Sequence, residues 1–174
     1  MRTLTRSAIV LSAAIALVGV SALPAAAVDA PSDIEVAVDG GVLSITSEPV
    51  VMPNVAPGLA STSAAFNVTV GDLRAQSTLG WVTTVSMTTL TGATPANVIS
   101  PALVTYTATE AVTTGTATVV ETATVTDLTA ATAVQTATAI TGNNTAAWDS
   151  TLSVAVPAAA LTDTYTAILT QSVL

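Results

Sequence analysis

Through most of this chain, apolar and polar residues alternate one by one, and many of the apolar ones are branched at Cβ. Phe66, Val68 and Val70 share one side of an extended segment, with Asn67 and Thr69 on the other. Trp81, Thr83, Val85 and Met87 repeat the arrangement, as do Leu152, Val154 and Val156 ahead of Pro157, which cannot donate to a ladder and ends that strand. A period of two belongs to a half-buried pleated strand and conflicts with the longer period of a helix. Val, Ile and Thr also fit a pleated surface well. Further strands are expected at residues 34–38, 42–46, 103–107, 116–125, 134–140 and 165–174, and Asp39-Gly40-Gly41 reads as the tight turn of a hairpin. Residues 158–161 could form one helical turn at most. The expected fold is all-β: an antiparallel, Ig-like β-sandwich of about nine strands, or a closely related barrel.

Residues 113–141 are rich in Thr, and Thr-Ala-Thr recurs at 116, 122 and 136. A glycosylated stalk would usually carry Pro as well, and this stretch has none. The spacing of Val119, Val125, Val134 and Ile140 fits paired strands instead, with a loop at 127–133.

Charge bears on compartment and partners. Arg2 and Arg6 precede an apolar run at 7–23, Pro24 interrupts it, and Ala25-Ala26-Ala27 supplies small residues for a signal peptidase. We therefore expect residues 1–27 to be a cleaved secretion signal and 28–174 to be a single β-sandwich domain. That mature chain carries one base, Arg74, against eleven acids. So acidic a product offers no electrostatic footprint for nucleic acid or anionic lipid, and no second apolar segment predicts a membrane span. A secreted, extracellular location follows.

The chain has no Cys, no His and no Lys. Disulfides, thiolate metal sites, Schiff bases and histidine general bases are thereby excluded, and no cofactor is expected. Carboxylates can hydrolyse glycosides in pairs. The only close set here, Asp29, Asp33, Glu35 and Asp39, reads as a solvated acidic face beside the new N-terminus. Asp72 and Arg74 lie two apart, on the same side of an extended segment, and read as an ion pair that fixes the turn after the 66–70 strand. The other possible use of Arg74 is as a fork for a carboxylate ligand. Among the aromatic residues, Phe66, Trp81 and Tyr165 sit on apolar faces and read as core anchors. Trp148 follows the loop signal Thr141-Gly142-Asn143-Asn144, and both a core and a half-exposed position are open to it. Exposed indoles would offer stacking faces to sugar rings, so Trp81 and Trp148 are the candidate wall- or partner-binding residues.

The string Phe66 to Val70, Asp72, Arg74, Gly80 and Trp81, with the strand to Met87 and the Thr91-Gly92 turn, resembles the first half of the WxL-domain family of Gram-positive surface proteins. Trp148, the 152–157 strand and Asp163-Thr164-Tyr165-Thr166-Ala167 are similar to its closing segment. The Trp-x-Leu positions read Trp81-Val82-Thr83 and Gln171-Ser172-Val173 here. The resemblance implies a secreted, non-enzymatic β-domain held without a covalent bond at the cell wall, by peptidoglycan or by a partner surface protein. The competing expectation is a structural subunit that self-associates into fibres or layers, because uncharged Thr-rich strand edges can template pairing with another chain.

Overall fold

The computed structural model describes residues 34–174. The expected secretion signal lies outside them. The chain divides between Val36 and Ala37, and the unit from Ala37 to Leu174 holds every strand described here. They are β1 (Leu43–Ser47), β2 (Ala60–Thr62), β3 (Phe66–Asp72), β4 (Trp81–Met87), β5 (Leu90–Thr91), β6 (Val98–Ile99), β7 (Val104–Ala108), β8 (Val112–Glu121), β9 (Thr124–Thr126), β10 (Thr132–Ala155) and β11 (Leu169–Val173). One short 3-10 turn, Pro101–Leu103, precedes β7, and the Ser100 hydroxyl accepts from the Ala102 N–H at its start. The fold is all-β and the pairings are antiparallel.

The order β1-β3-β10-β4-β11 runs through one large sheet, and β10 is its spine. The first part of β10 pairs with β4, from Thr132↔Val85 to Ala137↔Trp81, and the later part pairs with β3, from Asn144↔Asp72 to Ser150↔Phe66. β8 follows the opposite edge of β10 past both regions, and β7 continues beyond it. The two layers of the sandwich are thus joined along one side by β10. Along the other side β11 returns beside β1, where the Gln171 Nε2 donates to the Ser47 Oγ at 2.9 Å, and the sheet is nearly closed.

Alternation becomes burial as the period-two pattern requires. In β3 and β4 every second residue is buried, and Val68, Val70, Trp81 and Val85 are essentially inaccessible. Leu128, from the loop before β10, and Trp148, Leu152 and Val154, from β10 itself, complete the core. Each large apolar side chain so placed contributes roughly 1.5–3 kcal/mol relative to exposure. The rings of Phe66 and Tyr106 meet edge to face, with centroids 6.1 Å apart.

Five expectations are corrected. Residues 34–38 form no strand, and Ile34, Val36 and Val38 stand exposed. The hairpin at Asp39-Gly40-Gly41 is replaced by a continuation of the β1–β3 ladder: the Gly41 N–H donates to the Leu73 carbonyl at 2.6 Å and the Leu73 N–H to the Val42 carbonyl at 3.0 Å. A Cβ on Gly40 would lie 2.6 Å from the Arg74 carbonyl oxygen, so the close approach needs glycine. Next, the expected strands at 134–140 and near 152 are one strand, β10, running through the loop signal at 141–144. Positive φ at Ala139 and Gly142 bends it, and Gly115 of β8, also at positive φ, presses on the Asn143 carbonyl. The 116–125 segment splits into β8 and β9, because the Ala123 carbonyl accepts from Ala108 beside β7. Finally, the last strand begins at Leu169, and residues 158–161 make a turn closed by Ala160 N–H donating to the Pro157 carbonyl at 3.0 Å.

Candidate functional site

The Asp72–Arg74 pair stands at the end of β3. The guanidinium grips the carboxylate with two parallel bonds, Nε to Oδ1 and Nη2 to Oδ2, both 2.9 Å, and the Arg74 backbone N–H adds a third at 3.1 Å. Two residues on, an extended chain presents its side chains to the same side, so this fork is a local consequence of the sequence. Arg74 Nη2 also donates to the Gly80 carbonyl at 3.2 Å, which ties the turn after β3 to the start of β4. The Asp72 side chain is 3% exposed and that of Arg74 20%. The bond to Arg74 holds the Asp72 carboxyl below the usual carboxylate range, against the opposing effect of burial. With the fork turned onto Asp72, the guanidinium is engaged within the chain rather than free for a carboxylate ligand.

Gly80 and Trp81 complete this knot. Gly80 packs so closely on the Ala137 carbonyl that any side chain there would collide with it. Trp81, 1% exposed, descends into the core, and Trp148 is 2% exposed on the neighbouring β10. Neither indole presents a face to solvent, so a sugar ring could stack on neither without opening the core. Their two N–H groups find no acceptor among the described residues. The open question over Trp148 resolves to the core because the expected loop is strand, and strand alternation turns this residue inward.

Several engaged polar groups escape a reading of the sequence. Gln135, fully buried in β10, accepts and donates through its backbone to the Thr83 hydroxyl, and its Nε2 donates to the Thr109 carbonyl at 3.0 Å. The Tyr106 hydroxyl meets the Ser150 Oγ at 2.6 Å and donates to the Gln171 Oε1 at 3.0 Å, so it links β7, β10 and β11. Burial pushes the Tyr106 phenol up, with the Ser150 bond opposing. The Asp163 carboxylate gathers the N–H groups of Ala93, Thr94 and Thr164 and the Asn97 side chain, tying the β5–β6 connection to the C-terminal segment. Glu48 and Asp149 both accept from Asn67, on the surface. Nothing in the residue types alone marks these partners, because all of these bonds except that from Thr164 to Asp163 join positions far apart in the chain.

The surface feature that remains is β8. It pairs with β10 alone among the described residues, and most of its ten residues are exposed. Between Val112 and Val120 it carries no charge, only Thr, Gly, Ala and Val. These features define an antiparallel β-domain that offers contact surface. Among the described residues no helix is long and apolar enough to cross a membrane. No protein-family model, curated protein or solved structure matches the chain.

Proposed function

We propose that this chain is an exported, non-enzymatic surface protein of WxL-like type, held without a covalent bond at a Gram-positive cell wall by wall polymer or by a partner surface protein. One observation carries the reading. Asp72, Arg74, Gly80 and Trp81, on which the resemblance rests, are joined in space by the fork and by the Arg74 bond to the Gly80 carbonyl. With both indoles in the core, retention falls to the exposed β8 strand, whose hydroxyls and main-chain edge can hydrogen-bond a polyamide or glycan. A second reading, a subunit that assembles with its own kind, is favoured by the groove beside β1 and β11, where Ile45, Val50 and Leu169 stay partly exposed.

Cell fractionation and pull-down on purified wall test the first reading. The expected result is a wall-bound fraction that Val120→Lys, which places a charge on exposed β8, reduces while leaving the circular dichroism spectrum unchanged. Protein found wholly in the medium, with no binding to purified wall, would remove the retention.

A further inference from the structure

Among the described residues β8 has one ladder, with β10, and its ten residues make it the longest strand with a single neighbour; the other strands so placed have five residues or fewer. Shortness, charge or proline ordinarily blunts an edge of this kind. β8 has neither Pro nor charge from Val112 to Val120. Its one break is Gly115, at φ +76°, where any Cβ would collide with the Asn143 carbonyl oxygen, so packing holds the break in place. The residues that shift the register belong to β10. From Thr118 to Thr116 β8 advances two positions while β10 advances three, from Thr138 to Thr141, and from Thr116 to Thr114 it advances two against four. An incoming chain is thereby denied the full length of β8, but residues 116–121 carry no bulge of their own.

The side chains of this run specify what would lie beside it. Thr116, Thr118 and Val120 stand exposed on the outer face, with Thr118 opposite Thr138 and Val120 opposite Thr136. Ala117 and Val119 turn the other way and pack, half-buried, on the rim of the core. A further strand with apolar residues on its inner face would cover both and lengthen the core by one strand. Glu121 stands exposed at the end of the run and Glu110 just ahead of β8, while Arg74, the one base among the described residues, is engaged by Asp72. A second copy would bring the same acids to this edge. A segment with a basic residue brings the opposite charge.

We infer that β8 takes an extended segment of a partner protein as an added strand along residues 116–121, the segment alternating apolar and small polar residues and carrying a Lys or Arg beside Glu121. Every ladder of the large sheet is antiparallel, and an antiparallel guest sets its N-terminal end against Glu121, so the basic residue comes first in the segment. The inference rests on the reading of β8 as the surface of retention and narrows its two holders to a partner protein. Main-chain bonds along the outer edge supply the affinity, and the charge at Glu121 supplies direction.

The probe is a capped synthetic peptide, Lys-Val-Thr-Val-Thr-Val-Thr, titrated into the full chain and followed by fluorescence anisotropy and amide hydrogen exchange. The expected result is saturable binding that slows exchange at amides within residues 116–121. A peptide headed by Glu in place of Lys should bind about fivefold more weakly, as one exposed ion pair allows, and Glu121→Lys should reverse that order. Placing Pro at the centre of the peptide, where it can give no main-chain bond, should abolish binding. Two outcomes would overturn the inference: no binding of the Lys peptide up to about 1 mM, the weak end of measurable affinities, or binding that protects other amides and ignores the charge at residue 121. Wall stripped of protein is tested alongside. Retention there without peptide binding would sink this inference and leave the wall reading standing, whereas peptide binding by a chain found wholly in the medium would do the reverse.

Discussion

Replacing Arg74 by Met isolates the contribution of the fork. The substitution keeps an unbranched, apolar stem of similar reach but leaves the Asp72 carboxylate, 3% exposed, without its cation. Removing one member of a buried pair costs about 3–5 kcal/mol, because the remaining charge stays desolvated. The lower end applies here: Arg74 is 20% exposed and the residue-74 N–H continues to donate to Asp72. For a domain of this size a urea m-value of about 2 kcal/mol/M turns about 3 kcal/mol into a fall of about 1.5 M in the midpoint. The double variant Asp72→Asn with Arg74→Met should recover most of it, since the unpaired charge is then gone. Acid adds a second signature. In the parent chain Asp72 has a depressed carboxyl pKa, so its stabilisation is full above the unfolded value near about 4 and is lost as pH falls through the folded one. In Arg74→Met the fork, the largest cause of that depression, is gone, so the variant loses less than the parent as pH falls and the gap between the two curves narrows. A midpoint change under about 0.3 M at neutral pH, or a gap that stays constant down to pH about 3, would refute the assignment of a stabilising fork.

Trp81 and Trp148 should emit as buried indoles, blue-shifted and weakly quenched by acrylamide; strong quenching of the folded protein would contradict their burial. Tyr106→Phe removes the bonds to Ser150 and Gln171 and leaves a buried hydroxyl unpaired, so it should cost about 1–3 kcal/mol by denaturant titration; an unchanged midpoint would show that water replaces both. Asp163→Ala should raise hydrogen exchange at the Ala93 and Thr94 amides, which its carboxylate holds, while the β4 amides stay protected. The hydrogen bond from Asn97 leads in depressing the Asp163 pKa, so acid should loosen the same amides in the parent chain only as pH falls through that lowered value.

How far the sequence discloses this architecture varies with the range of the interactions involved. β3 and β4 were legible because one buried face writes itself into every second residue. The Asp72–Arg74 fork was legible for the same reason, since both partners lie within one extended segment. β10 was not. Gly142-Asn143-Asn144 has the chemistry of a turn, and only pairing with β3 on one edge and β8 on the other holds it in a bent strand. Trp148 inherits its burial from that continuity. Gln135 and Asn144, polar and buried, follow no local pattern at all: their places come from Thr83 and from Asp72, which are supplied by other strands.

β8 and residues 34–38 make the same physical point from opposite directions. Strand propensity records how well a side chain suits a pleated surface, not whether a neighbouring strand is there to complete it. Residues 34–38 carry the pattern without a strand, whereas β8 is a strand with little burial behind it and owes its order to the β10 ladder. An uncharged edge of that length invites further pairing unless something restrains it. The restraints in this chain are the distortion at Gly115, where the ladder with β10 shifts register, and Glu110 and Glu121 at the two ends of the strand. Register shifts deny an incoming chain a straight template, and like charge repels a second copy only over about 10 Å at moderate salt. β8 is thereby shielded against copies of itself better than against a neutral or basic partner, whereas the groove beside β1 and β11 leaves Ile45, Val50 and Leu169 partly exposed. Contact with other molecules at β8 and contact between copies at that groove can for that reason proceed on one chain without competing for the same edge.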